Sequence, residues 1–293
     1  MTGNKTGHQF EYRMRKIISI ITAVNIMICL TGCGYENVQK ADAEKCIRIP
    51  VLMYHGLTEY EELRNQYMIH PSLFEDDLRY LMKQGYTAIF VSEIVDFFEN
   101  GKKLPEKPVI LTFDDGYLNN YTYAFPLLKK YRCKAVISPI GISADEAQDE
   151  KYRSPKWSQC KWEELKEMSS SGLVQIENHT FSLHKNTDTV HGAAKKRNES
   201  DEEYEKRLKE DLTEANNRIC KATGRKPCTF VYPFGAKSEH TEEIVRSQGF
   251  SAILDCENKM NYLSSQEDLF HMHRFLRVDR LSADDFLKRI GVV

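Results

Sequence analysis

Apolar positions along this chain come in two patterns. Short unbroken runs, such as Val109-Ile110-Leu111 and Phe230-Val231-Tyr232, alternate with longer stretches in which apolar residues recur at helical spacing. The runs read as strands buried on both faces, and the periodic stretches as amphipathic helices that cover them. Ile49–Tyr54 (IPVLMY) predicts a first strand. Ser72 then predicts a helix cap, with Phe74, Leu78, Leu81 and Met82 on one face and Gly85 as the stop. Tyr86–Val91 predicts a strand, and Ser92 caps a helix that ends at Gly101.

The alternation continues through strand Pro108–Phe113, helix Asn120–Tyr131, strand Cys133–Pro139, helix Lys161–Ser170 and strand Leu173–Glu177. A long charged helix, Asp201–Thr223, carries Leu208, Leu212 and Ile219 on one face. Strand Cys228–Tyr232, helix Glu239–Gln248, strand Phe250–Leu254, a strand within Leu269–Val278 and helix Ala283–Ile290 complete the pattern. Repeated βα units imply an α/β fold with a parallel sheet and right-handed crossovers, and this many units suggest closure into a barrel. Nothing between residues 49 and 293 resembles a linker, so the pattern predicts one domain there.

The N-terminus breaks the pattern. Arg13, Arg15 and Lys16 precede an apolar run from Ile17 to Leu30, which is short for a membrane span and suits a secretory signal. It ends in Leu30-Thr31-Gly32-Cys33, which resembles the lipobox of bacterial lipoproteins. The expectation is a signal peptide over residues 1–33, lipidation of Cys33 and a polar tether over 34–48. Met14 is an alternative start that leaves this signal complete. The domain would then face outward, lipid-anchored at the extracellular side of the cell membrane or secreted. Six cysteines remain, without metal-ribbon spacing, and Cys220 and Cys228 are near enough in sequence to bridge. A net charge of −2 gives no basic face for nucleic acid.

Three polar motifs follow predicted strands, where parallel barrels carry their chemistry. They are Thr112-Phe113-Asp114-Asp115-Gly116-Tyr117, then 177-ENHTFSLH-184, then 230-FVYPFG-235. Taken singly, Asp-Asp-Gly reads as a turn and a histidine pair as surface or core. Together, one carboxylate and two imidazoles make a three-ligand set for Zn²⁺ or a similar divalent ion, and the second carboxylate stands free as a general base. Because neighbours on a strand point to opposite sides, adjacent aspartates can take different tasks.

These motifs carry a resemblance. From about Ile49 to Ile290 the chain resembles the polysaccharide deacetylase family, the NodB-homology carbohydrate esterases. IPVLMYH, KPVILTFDDGY, His179-Thr180 with Leu183-His184, and Tyr232-Pro233-Phe234-Gly235 look like that family's segments in order. The resemblance implies a distorted (β/α)7 barrel and removal of N-acetyl groups from N-acetylglucosamine units of an extracellular or cell-wall polysaccharide, either poly-N-acetylglucosamine or peptidoglycan. It implies Asp115, His179 and His184 as metal ligands, for Zn²⁺ first and Co²⁺, Ni²⁺ or Fe²⁺ as alternatives. It implies Asp114 as the base acting on water held at the metal, and the backbone N–H of Tyr117 as an oxyanion donor.

Two departures bear on this. The histidines are five apart rather than four, a form that resembles the branch acting on poly-N-acetylglucosamine. Val231 stands where many members have an arginine that tethers the base, so that contact must come from elsewhere, with Arg274 and Arg277 as candidates or as ordinary surface charges. The family often uses a late histidine as general acid. His271 and His273 would share one face of a strand, and His273 is the first candidate. His55 reads as a pocket-floor or packing histidine. Tyr232 and Phe234 could stack on a sugar ring, core packing being the ordinary fate of such residues. The rivals are an amidase or esterase on another acetylated substrate, and a lipoprotein that only binds glycan.

Overall fold

A computed structural model describes residues 46–292. The expected signal peptide, Cys33 and most of the expected tether lie outside the described residues, and no described helix is long and apolar enough to cross a membrane.

Seven parallel strands form a ring: β1 Val51–Tyr54, β2 Pro108–Asp115, β3 Ala135–Pro139, β4 Val174–Ile176, β5 Thr229–Val231, β6 Ala252–Leu254 and β7 Phe275–Leu276. Regular ladders join β7 to β1, β1 to β2, β2 to β3, β3 to β4 and β5 to β6. The other two seams are single parallel bridges, Asn178 to Phe230 between β4 and β5, and Leu254 to Met272 between β6 and β7. The predicted distorted (β/α)7 barrel is therefore present, with its distortion at those two seams.

The helices are α1 Pro71–Lys83, α2 Val91–Asn100, α3 Phe125–Tyr131, α4 Gly141–Ala147, α5 Trp162–Ser170, α6 Asp201–Thr223, α7 Thr241–Ser247 and α8 Ala283–Arg289. Strand alternation sorts the core into layers. Leu52, Tyr54, Leu111, Phe113, Ala135 and Ile137 pack outward with Phe74 and Leu78 of α1, Leu128 of α3 and Leu165 of α5. Val51, Ile110, Val136 and Val231 pack in a second cluster with Val91 and Ile94 of α2. Phe230, Tyr232 and Ile253 pack against Tyr204, Leu208 and Leu212 of α6.

Several boundaries differ from the expectation for local reasons. Pro50 splits the first run, and Ile47–Ile49 pairs antiparallel with Asn261–Leu263, so Ile47 and Arg48 belong to the folded domain rather than to the tether. Ser72 is not the cap of α1: Pro71 takes the first helical position, and the His70 ring accepts from the Ser72 N–H. Ser92 is likewise inside α2, whose start at Phe90 is closed by Glu93 accepting the Phe90 N–H at 2.8 Å. The strand expected over 86–91 shrinks to Thr87–Ala88, alongside the first residues of β2. Helix α4 was not predicted. The six described cysteines are free thiols, so Cys220 and Cys228 do not bridge.

Candidate active site

β2 is buried along its whole length and delivers both carboxylates to the barrel rim. Asp114 shares the inward face with Ile110 and Thr112. Simple alternation would send Asp115 outward with Leu111 and Phe113, as the sequence suggested, but its φ of 69° is left-handed. That conformation costs a non-glycine residue energy, and here it turns the second carboxylate to the same side as the first. Both then line one cavity of about 440 Å³ with His55, Tyr67, Tyr117, His179, His184 and Phe234. Gly116 follows at φ 75°, where an added Cβ would lie 2.7 Å from the Pro139 Cβ. Only glycine allows this close turn.

The turn also prepares a donor. Leu118 N–H donates to Ser158 O and Cys160 N–H to Gly116 O, so Tyr117 and Gln159 face each other at a non-hydrogen-bonded antiparallel position. Backbone groups at such a position point away from the partner strand. The N–H of Tyr117 is thereby left free beside Asp115, as the oxyanion expectation requires.

His179 and His184 come from the loop after β4, and α6 holds that loop. Asp211 accepts the N–H groups of Phe181 and Ser182 and the Ser182 hydroxyl, at 2.7–2.8 Å. Asn178 donates to Leu212 O and to Asn216 Oδ1, while its own Oδ1 accepts from Thr180 N–H. His179 Nδ1 lies 2.9 Å from Val231 O, which makes Nδ1 the protonated nitrogen and frees the Nε2 lone pair. Val231, at the place of the family's arginine, thus contributes its carbonyl.

Nε2 of His179 and of His184 lie 3.6 and 3.2 Å from Asp115 Oδ1, and one ligand atom from each residue lies within 4.8 Å of the others. That carboxylate oxygen is buried with no hydrogen-bond partner. Burial pushes the His179 imidazole down to about 3 and lowers His184 as well, so both rings are neutral. Burial also lifts the Asp115 carboxyl to about 6. Converging lone pairs around this unpartnered carboxylate oxygen fit a divalent cation, and one oxygen with two imidazole nitrogens suits Zn²⁺ or a similar ion.

Asp114 is held differently. The Arg274 guanidinium grips it bidentately, Nη1 to Oδ1 at 2.7 Å and Nη2 to Oδ2 at 2.9 Å, with Nη1 also 3.3 Å from Thr112 Oγ1. Burial works to raise this carboxyl, but Arg274, aided by His179 and His55, holds it well below the usual carboxylate range. The residue that leads into β7 therefore supplies the tether that β5 lacks. Arg277 is equally buried and pairs with Asp77 of α1, so neither arginine is a surface charge.

Three expectations are corrected. His273, the first candidate for general acid, does not line the cavity: its Nδ1 lies 2.9 Å from Asp255 Oδ2, and the next residue, Arg274, takes the interior position. His271 lies in the helical turn Gln266–His271 rather than in a strand, and it is exposed beside Glu242. Tyr232 is 2 % exposed and packs edge-on against Phe230 in the α6 layer, because its strand position faces outward. Phe234 does reach the cavity at a left-handed φ of 59°, with its ring 4.3 Å from that of His184. His55 is the residue the sequence undervalued: it lines the cavity and its buried Nδ1 has no partner.

A family model described as polysaccharide deacetylase matches residues 101–253. The poly-β-1,6-N-acetyl-D-glucosamine N-deacetylase of Escherichia coli is 22% identical over 303 residues, covering 94% of this chain and 45% of that protein. This chain thus spans about half the length of that relative. The Staphylococcus aureus protein of the same name is 22% identical over 266 residues, covering 84% of this chain and 88% of that one. Among solved structures, a de-N-acetylase from Aggregatibacter actinomycetemcomitans superimposes with a TM-score of 0.72 at 26% identity, over 83% of this chain and 100% of the other. The family match covers more than half of the 293 residues and includes both aspartates and both histidines of the site: the chain belongs to the polysaccharide deacetylase family.

Proposed function

We propose that the protein is a polysaccharide N-deacetylase that hydrolyses the acetamide of N-acetylglucosamine units in a β-1,6-linked polymer. The observation that carries this reading is the unequal fate of two adjacent carboxylates in one cavity. Asp115 faces two neutral imidazoles, whereas Asp114 is ionised and locked by Arg274. The names of the relatives above support the choice of polymer.

A divalent cation held by Asp115, His179 and His184 would supply Lewis acidity toward the acetyl carbonyl and the attacking water. Asp114 accepts the proton of that water as it adds to the carbonyl carbon, and the Arg274 fork keeps the carboxylate charged and oriented for this role. The N–H of Tyr117 donates to the oxygen that becomes negative. When the C–N bond breaks, acetate leaves and the sugar nitrogen needs a proton. His55 is the cavity's proton carrier for that step. Phe234 covers His184 and offers a face for the sugar ring.

We also place the domain outside the cell, lipid-anchored through Cys33, on the support of the lipobox-like sequence alone. The test is acetate release from poly-β-1,6-N-acetylglucosamine, with chelation and restoration by Zn²⁺. Release abolished by chelator and restored by metal supports the reading. Tight glycan binding without acetate release would favour a binding protein, and release only from small acetyl esters would favour an esterase.

A further inference from the structure

The catalytic cavity does not end at its own wall. Tyr67 belongs both to it and to a neighbouring cleft of about 740 Å³ between the loop 64–67 and the segment 278–280 that follows β7. This size lies in the range of small-molecule sites.

The walls are pinned. Arg64 Nε reaches both oxygens of Asp279 at 3.1 and 3.0 Å, and Nη2 adds a contact at 2.8 Å. Asp279 also accepts the His70 N–H at 3.1 Å. Asn65 Oδ1 accepts the N–H groups of Tyr67 and Met68, which fixes the turn that presents Tyr67. The Tyr67 ring is 46% exposed and sits 4.8 Å from the His55 ring. An exposed aromatic face shared by two clefts suits a ring that follows the one being deacetylated.

The charges select among such rings. Arg64 and Asp279 cancel, while Arg280 lines the cleft, exposed, with no ion pair among the described residues. Glu61, the other carboxylate that Arg64 feels, is exposed and does not line the cleft. An unpaired guanidinium repels an ammonium and tolerates a neutral acetamide.

We propose that this cleft is the subsite for the adjoining sugar of the chain, with Tyr67 as its platform, and that Arg280 makes it prefer an acetylated neighbour to a glucosammonium one. The proposal rests on the deacetylase reading. A consequence is that the enzyme disfavours contiguous deacetylation, because each product amine hinders attack on the next unit.

The test compares acetate release from a fully acetylated β-1,6-linked pentamer and from the same pentamer with one free amine beside its central unit. For the wild type the acetylated pentamer should react faster, by roughly three- to tenfold, as expected for one partly screened like-charge contact. Arg280→Gln should bring the ratio near one and Arg280→Glu should invert it, with release from a monomeric acetamide unchanged. A wild-type preference that both variants leave intact would overturn the subsite while leaving the deacetylase reading standing. Release from neither pentamer would overturn the deacetylase reading, and the subsite with it.

Discussion

Replacing Arg274 by methionine isolates the device that holds the base. Both partners of the wild-type pair are essentially unexposed, and the contact is a two-point fork at 2.7 and 2.9 Å. Removing one partner of such a pair leaves a buried charge uncompensated, which costs about 3–5 kcal/mol. For a domain of this size that corresponds to a fall in Tm of about 10 °C. The pH dependence follows from the sign of the shift. In the wild type the folded Asp114 carboxyl is depressed below its ordinary value of about 3.9. The pair therefore contributes stability that is present above that value and lost as pH falls through the folded one. In Arg274→Met, burial acts without the guanidinium and raises the folded value above the unfolded one. The deficit should then be largest at neutral pH and shrink on acidification, as the carboxyl protonates. Urea unfolding of chelated wild type, Arg274→Met, Asp114→Asn and the double variant measures this. The double variant should lose several kcal/mol less than the sum of the singles. A deficit under about 1 kcal/mol, or additivity of the two changes across pH, would refute the reasoning.

Other substitutions separate the remaining roles. His55→Gln should keep the metal and the fold while lowering kcat by about 10²–10⁴-fold, read by single-turnover acetate release. Gly116→Ala places a methyl 2.7 Å from Pro139 at a left-handed φ, so it should cost about 1–3 kcal/mol and depress kcat by displacing the Tyr117 N–H. Asp211→Ala removes three hydrogen bonds from the histidine loop and should weaken metal binding by about 10–100-fold, measured by competition with a chromogenic chelator.

The periodicity of the chain carried the barrel, because a βα repeat of buried runs admits few other topologies. The motif spacing foreshadowed that the two aspartates and two histidines meet in one cavity, because polar residues at strand ends gather at one rim of this fold. What it could not carry depends on long-range geometry. Arg274 reads as one of two equivalent late arginines until closure of β7 against β1 puts one on Asp114 and the other on Asp77. His273 and Tyr232 were misplaced by a parity error. One residue of phase on a strand decides between interior and exterior, and the segment expected as a strand from residue 269 is a helical turn up to His271. The left-handed turn at Asp115 was also missed: Asp before Gly is compatible with a positive φ, but the buried run before it reads as a strand that continues its alternation through Asp115. Asp211 and Asn216 looked like ordinary polar positions on a charged helix, and only the loop packed on them gives them their task.

The division of labour between the adjacent aspartates is the centre of the account, and one paired measurement tests it most directly. Metal content and acetate release are determined side by side on Asp114→Asn and Asp115→Ala. The account predicts that Asp114→Asn retains the metal and releases no acetate, whereas Asp115→Ala loses both. Metal lost from Asp114→Asn but kept by Asp115→Ala would contradict it.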